Sequence, residues 1–187
     1  MQNRILITGA NGQLGSEFRA LEKKYDQFEF IFVGKDELAI QDHFLLKKFF
    51  KKHLPSYCIN CAAYTAVDKA ETEKELATTI NGDAPGYLAE ACDEFGTRFI
   101  HISTDYVFDG SSAIPYKETD ETNPVNHYGM SKLIGEKRVM ENIADAVIIR
   151  TAWVYSEYGN NFVKTMMRLM KEREQLNVVS DQRGSPT

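Results

Sequence analysis

The sequence predicts a doubly wound parallel α/β sheet, and three observations predict it. Short apolar runs alternate with longer amphipathic segments, the signature of βαβ units. The runs are apolar on consecutive residues, as expected of strands covered on both faces. A glycine-rich loop joins the first run to the first amphipathic segment. Strands are expected over residues 4–8, 28–33, 57–61, 98–103, 146–150 and 176–179. Helices are expected between them over 13–24, 42–52, 84–95, 127–141 and 161–173. The stretch 109–126 is the longest expected loop, holding Gly110, Pro115 and Pro124 with acids between them. Long loops within a compact domain are uncommon and often functional.

The 187 residues suit one sizeable domain, with 43% hydrophobic and 26% charged residues. Asp+Glu 27 against Lys+Arg 22 leaves a formal charge of −5, which argues against a nucleic-acid partner bound through broad phosphate neutralisation. No apolar stretch reaches the ~18 residues of a membrane span, and the first residues lack the long apolar region of a signal peptide. Three cysteines fit a reducing compartment. A cytoplasmic protein without membrane or nucleic-acid partners is the expectation.

The loop Thr8-Gly9-Ala10-Asn11-Gly12-Gln13-Leu14-Gly15 leaves the first strand and opens the first helix. Its glycine spacing is G-x-x-G-x-x-G. Gly9 suits the sharp turn, Gly12 a close backbone approach to a pyrophosphate, and Gly15 close packing of helix on sheet. Phosphates there would meet free N–H groups and the positive end of a helix dipole. A dinucleotide site follows. The end of the second strand reads Phe32-Val33-Gly34-Lys35-Asp36. Gly34 stands where an acid would bind a ribose 2′-hydroxyl. Lys35 offers a cation to a 2′-phosphate, so NADP(H) is favoured. Asp36 keeps NAD(H) open, and a solvated Lys at a strand end is the plain structural reading.

Tyr128-Gly129-Met130-Ser131-Lys132 places a phenol and an ammonium four residues apart, on one helical face. An adjacent ammonium lowers a phenol's pKa, which would suit Tyr128 to protonate a carbonyl oxygen. Lys132 is also expected to bond a nicotinamide ribose. Ser103-Thr104 ends the fourth strand, where ligands bind in open α/β folds. Either hydroxyl could hold a substrate carbonyl towards Tyr128, or simply cap the next turn.

Other features carry less. Cys58 and Cys61 form a C-x-x-C, but residues three apart on a strand point to opposite faces, so core cysteines are expected. His43, His53, His101 and His127 lack ligand spacing, and no metal site is expected. The pattern Leu45-Leu46-Lys47-Lys48-Phe49-Phe50-Lys51-Lys52 reads as a helix packed on the sheet with its lysines in water. Trp153 fits the core or a stacking position equally.

Together these residues resemble the extended short-chain dehydrogenase/reductase family, on a Rossmann-type sheet. The resembling segments include Ile7 to Gly15, Asn60-Cys61-Ala62-Ala63-Tyr64-Thr65-Ala66-Val67-Asp68-Lys69-Ala70-Glu71 and Ser103-Thr104-Asp105-Tyr106-Val107-Phe108-Asp109-Gly110. Tyr128 to Lys132, Arg150-Thr151-Ala152-Trp153-Val154-Tyr155 and Asp181-Gln182-Arg183-Gly184-Ser185-Pro186-Thr187 complete the set. The resemblance implies hydride transfer from NADPH or NADH to C4 of dTDP-4-dehydro-L-rhamnose, with Tyr128 protonating O4 to give dTDP-L-rhamnose. It implies Thr104, Tyr128 and Lys132 as the catalytic set. Gly12, Gln13 and Leu14 match pyrophosphate contacts, flanked by Gly9, Asn11 and Gly15. Ala62, Ala63 and Tyr64 match the cofactor-lining segment. Thr104, Asp105 and Trp153 match sugar-nucleotide contacts. Ala39 and Ile40 stand where the family often has an acid meeting the adenine, leaving backbone contact there.

The resemblance further implies that residues 1–187 are a dinucleotide-binding domain whose end enters a smaller carboxyl-terminal sugar lobe. Some relatives dimerise through a metal held by that lobe, which leaves a homodimer open. A non-catalytic NADP-binding regulatory subunit, of the kind that serves methionine adenosyltransferase, is the main alternative. Retention of all three catalytic residues argues against it. Tyr106 after Thr104-Asp105, where dehydratases carry a further acid, favours simple reduction.

Overall fold

The computed structural model describes residues 3–179 and 184–187. Asp181, Gln182 and Arg183 of the last resembling segment lie outside the described residues. Five parallel strands form one sheet: β1 Asn3–Thr8, β2 Phe28–Val33, β3 Tyr57–Asn60, β4 Arg98–Thr104 and β5 Val147–Thr151. Their order is β2-β1-β3-β4-β5. The chain leaves β1 to one side for β2, then crosses to the other side for β3. That reversal opens a crevice beyond the carboxyl ends of β1 and β3. Register brings Thr8 opposite Asn60 and Asn60 opposite His101, while β4 runs on until Thr104 meets Thr151.

The helices are α1 Gln13–Leu21, α2 His43–His53, α3 Lys74–Thr78, α4 Ala84–Phe95, α5 His127–Asn142 and α6 Phe162–Glu172. α2 starts where the Asp42 carboxylate accepts the Leu45 N–H (2.9 Å). Its apolar pairs divide: Leu46 and Phe50 are fully buried, while Leu45 is 43% exposed and Phe49 is partly buried. Burying each of the two inner side chains contributes about 1.5–3 kcal/mol. Lys47 on the outer side pairs with Glu90 and Glu94 of α4 at 3.2 and 3.0 Å. Leu6, Val33, Cys58, Leu88, Phe99 and Val139 complete the principal core around them.

Two elements differ from the sequence expectation. Residues 176–179 form no strand. Leu176 and Val178 instead line an open groove with Phe162, Met166 and Met170 of α6, and Val178 and Val179 remain exposed. β5 is left as the edge of the sheet, with Val147 and Ile149 exposed. In the other direction, helical structure begins well before residue 84. A short 3-10 turn, Asp68–Glu71, leads to α3, and a π turn over Thr79–Asp83 carries α3 into α4. Gly82, Pro85 and Gly86 stand at the junction of the π turn with α4. They sit buried against α5, where a Cβ at Gly82 or Gly86 would crowd Ile134 or Arg138.

Candidate active site

The crevice between β1 and β3 is bounded by two backbones in near contact. Gly9 has φ +64°, and a Cβ on it would lie 2.6 Å from the Ala62 nitrogen. Only glycine permits that turn and that approach together. The Gly12 N–H donates to the Gly9 carbonyl (2.9 Å), and the Ala10 N–H donates to the Val33 carbonyl (3.1 Å). Gly12 then caps α1 with no side-chain partner. The positive end of α1 therefore faces the crevice with its first turn open to an anion. At Gly15, buried one turn on, a Cβ would sit 2.6 Å from the Ala10 Cα, so α1 lies tight on the strand end.

A fully buried polar row supports this floor. The Thr8 hydroxyl donates to Asn60 Oδ1 (2.6 Å), as does the Ala62 N–H (3.2 Å). These donors fix the amide, so Asn60 Nδ2 faces His101 Nδ1 at 3.0 Å and donates to it. Burial, aided by the Lys132 charge, holds the His101 imidazolium well below its ordinary pKa. The ring is neutral and carries its proton on Nε2.

Thr104, the last residue of β4, and Tyr128, near the start of α5, come together at the carboxyl end of the sheet. The Thr104 hydroxyl contacts the Tyr128 phenol and also bonds Asp105 Oδ1 (3.1 Å). It accepts the Tyr106 N–H as well (3.2 Å), so the capping role expected as an alternative is also present. The Tyr106 ring meets Tyr128 edge-on at 5.6 Å. Asn126 caps α5 by accepting the Gly129 N–H at 2.8 Å. Burial also pushes the Asp105 carboxyl above its ordinary value.

The expected electrostatic link between Lys132 and Tyr128 is corrected. The Lys132 ammonium turns inward and donates to the Ile102 carbonyl (2.6 Å), leaving the residue 2% exposed. Burial pushes the Tyr128 phenol above its ordinary pKa, against the Thr104 contact and in the same direction as Asp105 and Tyr106. Desolvation wins because the ammonium that would favour the phenolate is spent on the strand below. Lys132 itself is lowered to about 8, by burial, against Glu136 and Cys61. Ser103 is also reassigned. Its hydroxyl donates to Glu136 (2.5 Å) and is not free to hold a carbonyl.

The sequence reading missed Asn81, in the π turn. Its amide accepts the Tyr64 N–H (2.8 Å), donates to the Tyr64 carbonyl (3.0 Å) and donates to the Ser131 hydroxyl (3.1 Å). Ser131 in turn donates to the Tyr128 carbonyl (2.7 Å). One buried side chain thus ties the Ala62–Ala63–Tyr64 segment to the helix bearing Tyr128 and Lys132. π turns are frequent at functional sites, but only the fold reveals this one. The Tyr64 phenol is held apart, donating to Glu73 (2.8 Å).

The remaining candidates lie around the rim. Asn11 and Lys35 are exposed, and Leu14 and Ala39 are half-buried. Ile40 joins the core. Glu37, also overlooked in the sequence, accepts the Gly34 N–H (2.8 Å) and so returns an acid to the end of β2. The Gln13 side chain bridges to the loop after β5, donating to the Val154 carbonyl (3.0 Å) and accepting from Asn161 (3.0 Å). Trp153 in that loop is half-exposed, with φ +48° and its ring edge-on to Phe162. A positive φ in so bulky a residue is strained, a feature that clusters at ligand sites. Cys58 and Cys92 are buried together, and burial pushes the Cys61 thiol up to about 12.

Comparison with known proteins places this geometry. The family described as RmlD substrate binding domain matches residues 3–187. A dTDP-4-dehydrorhamnose reductase of Burkholderia thailandensis is 46% identical over 184 residues, covering 98% of this chain and 61% of that protein. The Salmonella typhimurium protein of the same name is 43% identical, with 98% and 62% covered. The crystal structure of a Clostridium acetobutylicum dTDP-4-dehydrorhamnose reductase superposes with a TM-score of 0.95 at 47% identity, covering 98% of this chain and 65% of that one. A Bacillus anthracis dTDP-4-dehydrorhamnose reductase, solved in complex with NADP, gives 0.96 at 44% identity, covering 100% and 66%. The chain thus spans a little under two thirds of the length of these relatives. With residues 3–187 matched in a single span, the chain belongs to the RmlD substrate binding domain family.

Proposed function

We propose that this chain is the dinucleotide-binding part of a reductase that converts dTDP-4-dehydro-L-rhamnose to dTDP-L-rhamnose with NADPH. The observation that carries the reading is the meeting of Thr104 and Tyr128 at the carboxyl end of β4, beside the crevice where Gly9 abuts Ala62. The names of the relatives and the NADP complex of the Bacillus anthracis protein support it.

The residues present fit a dinucleotide. A Cβ at Gly9 would strike the Ala62 main chain, so only glycine lets the two loops at the crevice close on each other, and the uncapped first turn of α1 suits a pyrophosphate. Reduced nicotinamide, when bound, supplies the hydride that adds to C4 of the keto sugar. Tyr128 supplies the proton to O4, so the carbonyl becomes a secondary alcohol. Its phenol is neutral at physiological pH because burial raises its pKa, and a proton donor must be protonated before the step. Thr104 shares the phenol's position and holds the sugar O4 against it. Lys132, whose ammonium donates inward to the Ile102 carbonyl, braces the helix that carries Tyr128 against β4. Asp105 and Trp153 border the sugar-nucleotide side. Exposed Lys35 is placed to meet a 2′-phosphate, since the Glu37 carboxylate beside it is engaged by the Gly34 N–H. NADH remains the second-best donor.

The test uses the full-length protein, NADPH and the keto-sugar nucleotide, following loss of nicotinamide absorbance. Tyr128→Phe is expected to lower kcat by about 10²–10⁴-fold, while NADPH affinity changes little. Wild-type turnover in that variant contradicts the assignment.

A further inference from the structure

Lys132 and Glu136 lie one turn apart on the same face of α5 and reach neighbouring residues of β4. Lys132 donates to the Ile102 carbonyl (2.6 Å), and the Ser103 hydroxyl donates to Glu136 (2.5 Å). Arg150 of β5 stands opposite Ser103 in the sheet register. Its Nε contacts both Glu136 oxygens (3.1 and 3.3 Å), and its Nη2 bonds one of them at 2.7 Å. The guanidinium is itself fixed, over the Phe108 ring at 5.0 Å and against the Glu118 carbonyl at 3.2 Å. Glu136 is 4% exposed. A buried ion pair of this kind is a poor source of stability, because desolvation offsets most of its attraction. Its place beside the ammonium of the catalytic set calls for another explanation.

We propose that Glu136 is a positioning residue for Lys132: its carboxylate, held between the Ser103 hydroxyl and the Arg150 guanidinium, is the counter-charge of the buried ammonium and anchors α5 to β4 and β5. The inference rests on the reading of Lys132 as part of the catalytic set. The surrounding groups leave this role to Glu136. His101 on β4 is neutral, and the Cys61 thiol after β3 stays protonated to about pH 12. Asp105 faces Tyr128. Asp83 in the π turn pairs with Arg138, and Glu71 receives the His127 N–H. Burial lowers Lys132 to about 8 while Glu136 opposes the fall. Near that midpoint, a change in one carboxylate decides how much ammonium exists at working pH.

The experiment follows the Lys132 side chain in protein carrying ¹³C-labelled lysine, by NMR titration without cofactor. Its resonance is identified by its loss in Lys132→Arg. In Glu136→Gln the amide keeps the size and can still accept from Arg150, but the charge is gone. The Lys132 midpoint is expected to fall by about one pH unit. At pH 7.5 the charged fraction would drop from about three quarters to about one quarter. The limb of the kcat profile that follows Lys132 should move by the same amount in NADPH-supplied enzyme. A merely structural role predicts the opposite, since a loosened site admits water and the midpoint rises towards the free-lysine value near 10.4. A rise, or no change, overturns the proposal. If Glu136→Gln does not fold, Arg150→Gln decides. With the competing cation gone, the midpoint should rise in a protein that still melts cooperatively, and an unchanged or lower midpoint overturns the proposal. A fallen midpoint in Glu136→Gln, with no turnover in the wild type, would remove the reductase reading and leave the Glu136–Lys132 coupling standing.

Discussion

Asn81 shows how much one buried side chain can organise. Its amide satisfies both backbone groups of Tyr64 and reaches Ser131, so the Ala62–Ala63–Tyr64 segment and α5 share one anchor. Asn81→Ala would leave the Tyr64 N–H and carbonyl without their partner. A loss of about 2–3 kcal/mol is expected in urea unfolding, with a rise in the KM for NADPH larger than any fall in kcat. Unchanged stability would show that water replaces the amide. The meeting of Thr104 with Tyr128 was partly legible, because a strand ending in Ser103-Thr104 and a helix opening on Tyr128 both point to the carboxyl rim, although residue type alone did not choose between the two hydroxyls. Asn81 was not, because its partners lie 17 and 50 residues away. The direction of the Tyr128 shift was misread for a related reason. Spacing shows that a phenol and an ammonium share a face, but not that the ammonium is drawn inward to Ile102.

Among elements, the first crossover depends on the approach of two backbones. Gly9 and Gly96 have nearly the same backbone angle, φ +64° and +66°, but different surroundings. A Cβ at Gly9 meets Ala62, whereas at the carboxyl end of α4 a Cβ on Gly96 meets nothing within 4 Å. Gly96→Ala should therefore cost only the left-handed backbone penalty, about 1–2 kcal/mol. Gly9→Ala adds a clash between main chains and should cost about 2 kcal/mol more, measured by denaturant unfolding of both variants. Equal losses would mean that the crevice yields without strain. The alternation of apolar runs and helices revealed β1 to β5, although β5 leaves Val147 and Ile149 exposed. It failed at 176–179, where the apolar residues line an open groove beside Phe162, Met166 and Met170 of α6 and pair with no strand. A period-two signal says that a segment could offer one apolar face, not that a neighbouring strand is there to pair with it. The helical start at 68–83 stayed hidden because it is broken into a 3-10 turn, a single short helix and a π turn, with Gly82 suited to close packing against α5.

At the scale of the molecule, the order β2-β1-β3-β4-β5 sets the chemistry. Every strand points the same way, so Thr8, Asn60 and Thr104 all end on one rim, and the reversal between β2 and β3 opens the rim beside Gly9. The crevice beside Gly9 and the Thr104–Tyr128 pair are consequences of that one topology. The most direct measurement is the crystal structure of the protein with NADPH. The pyrophosphate is expected over the Gly12–Gln13–Leu14 turn, with the nicotinamide ring beside the Tyr128 hydroxyl and the adenosine end towards Lys35. A dinucleotide bound away from the Gly9–Ala62 crevice, or a Tyr128 hydroxyl turned from the nicotinamide, would contradict the account.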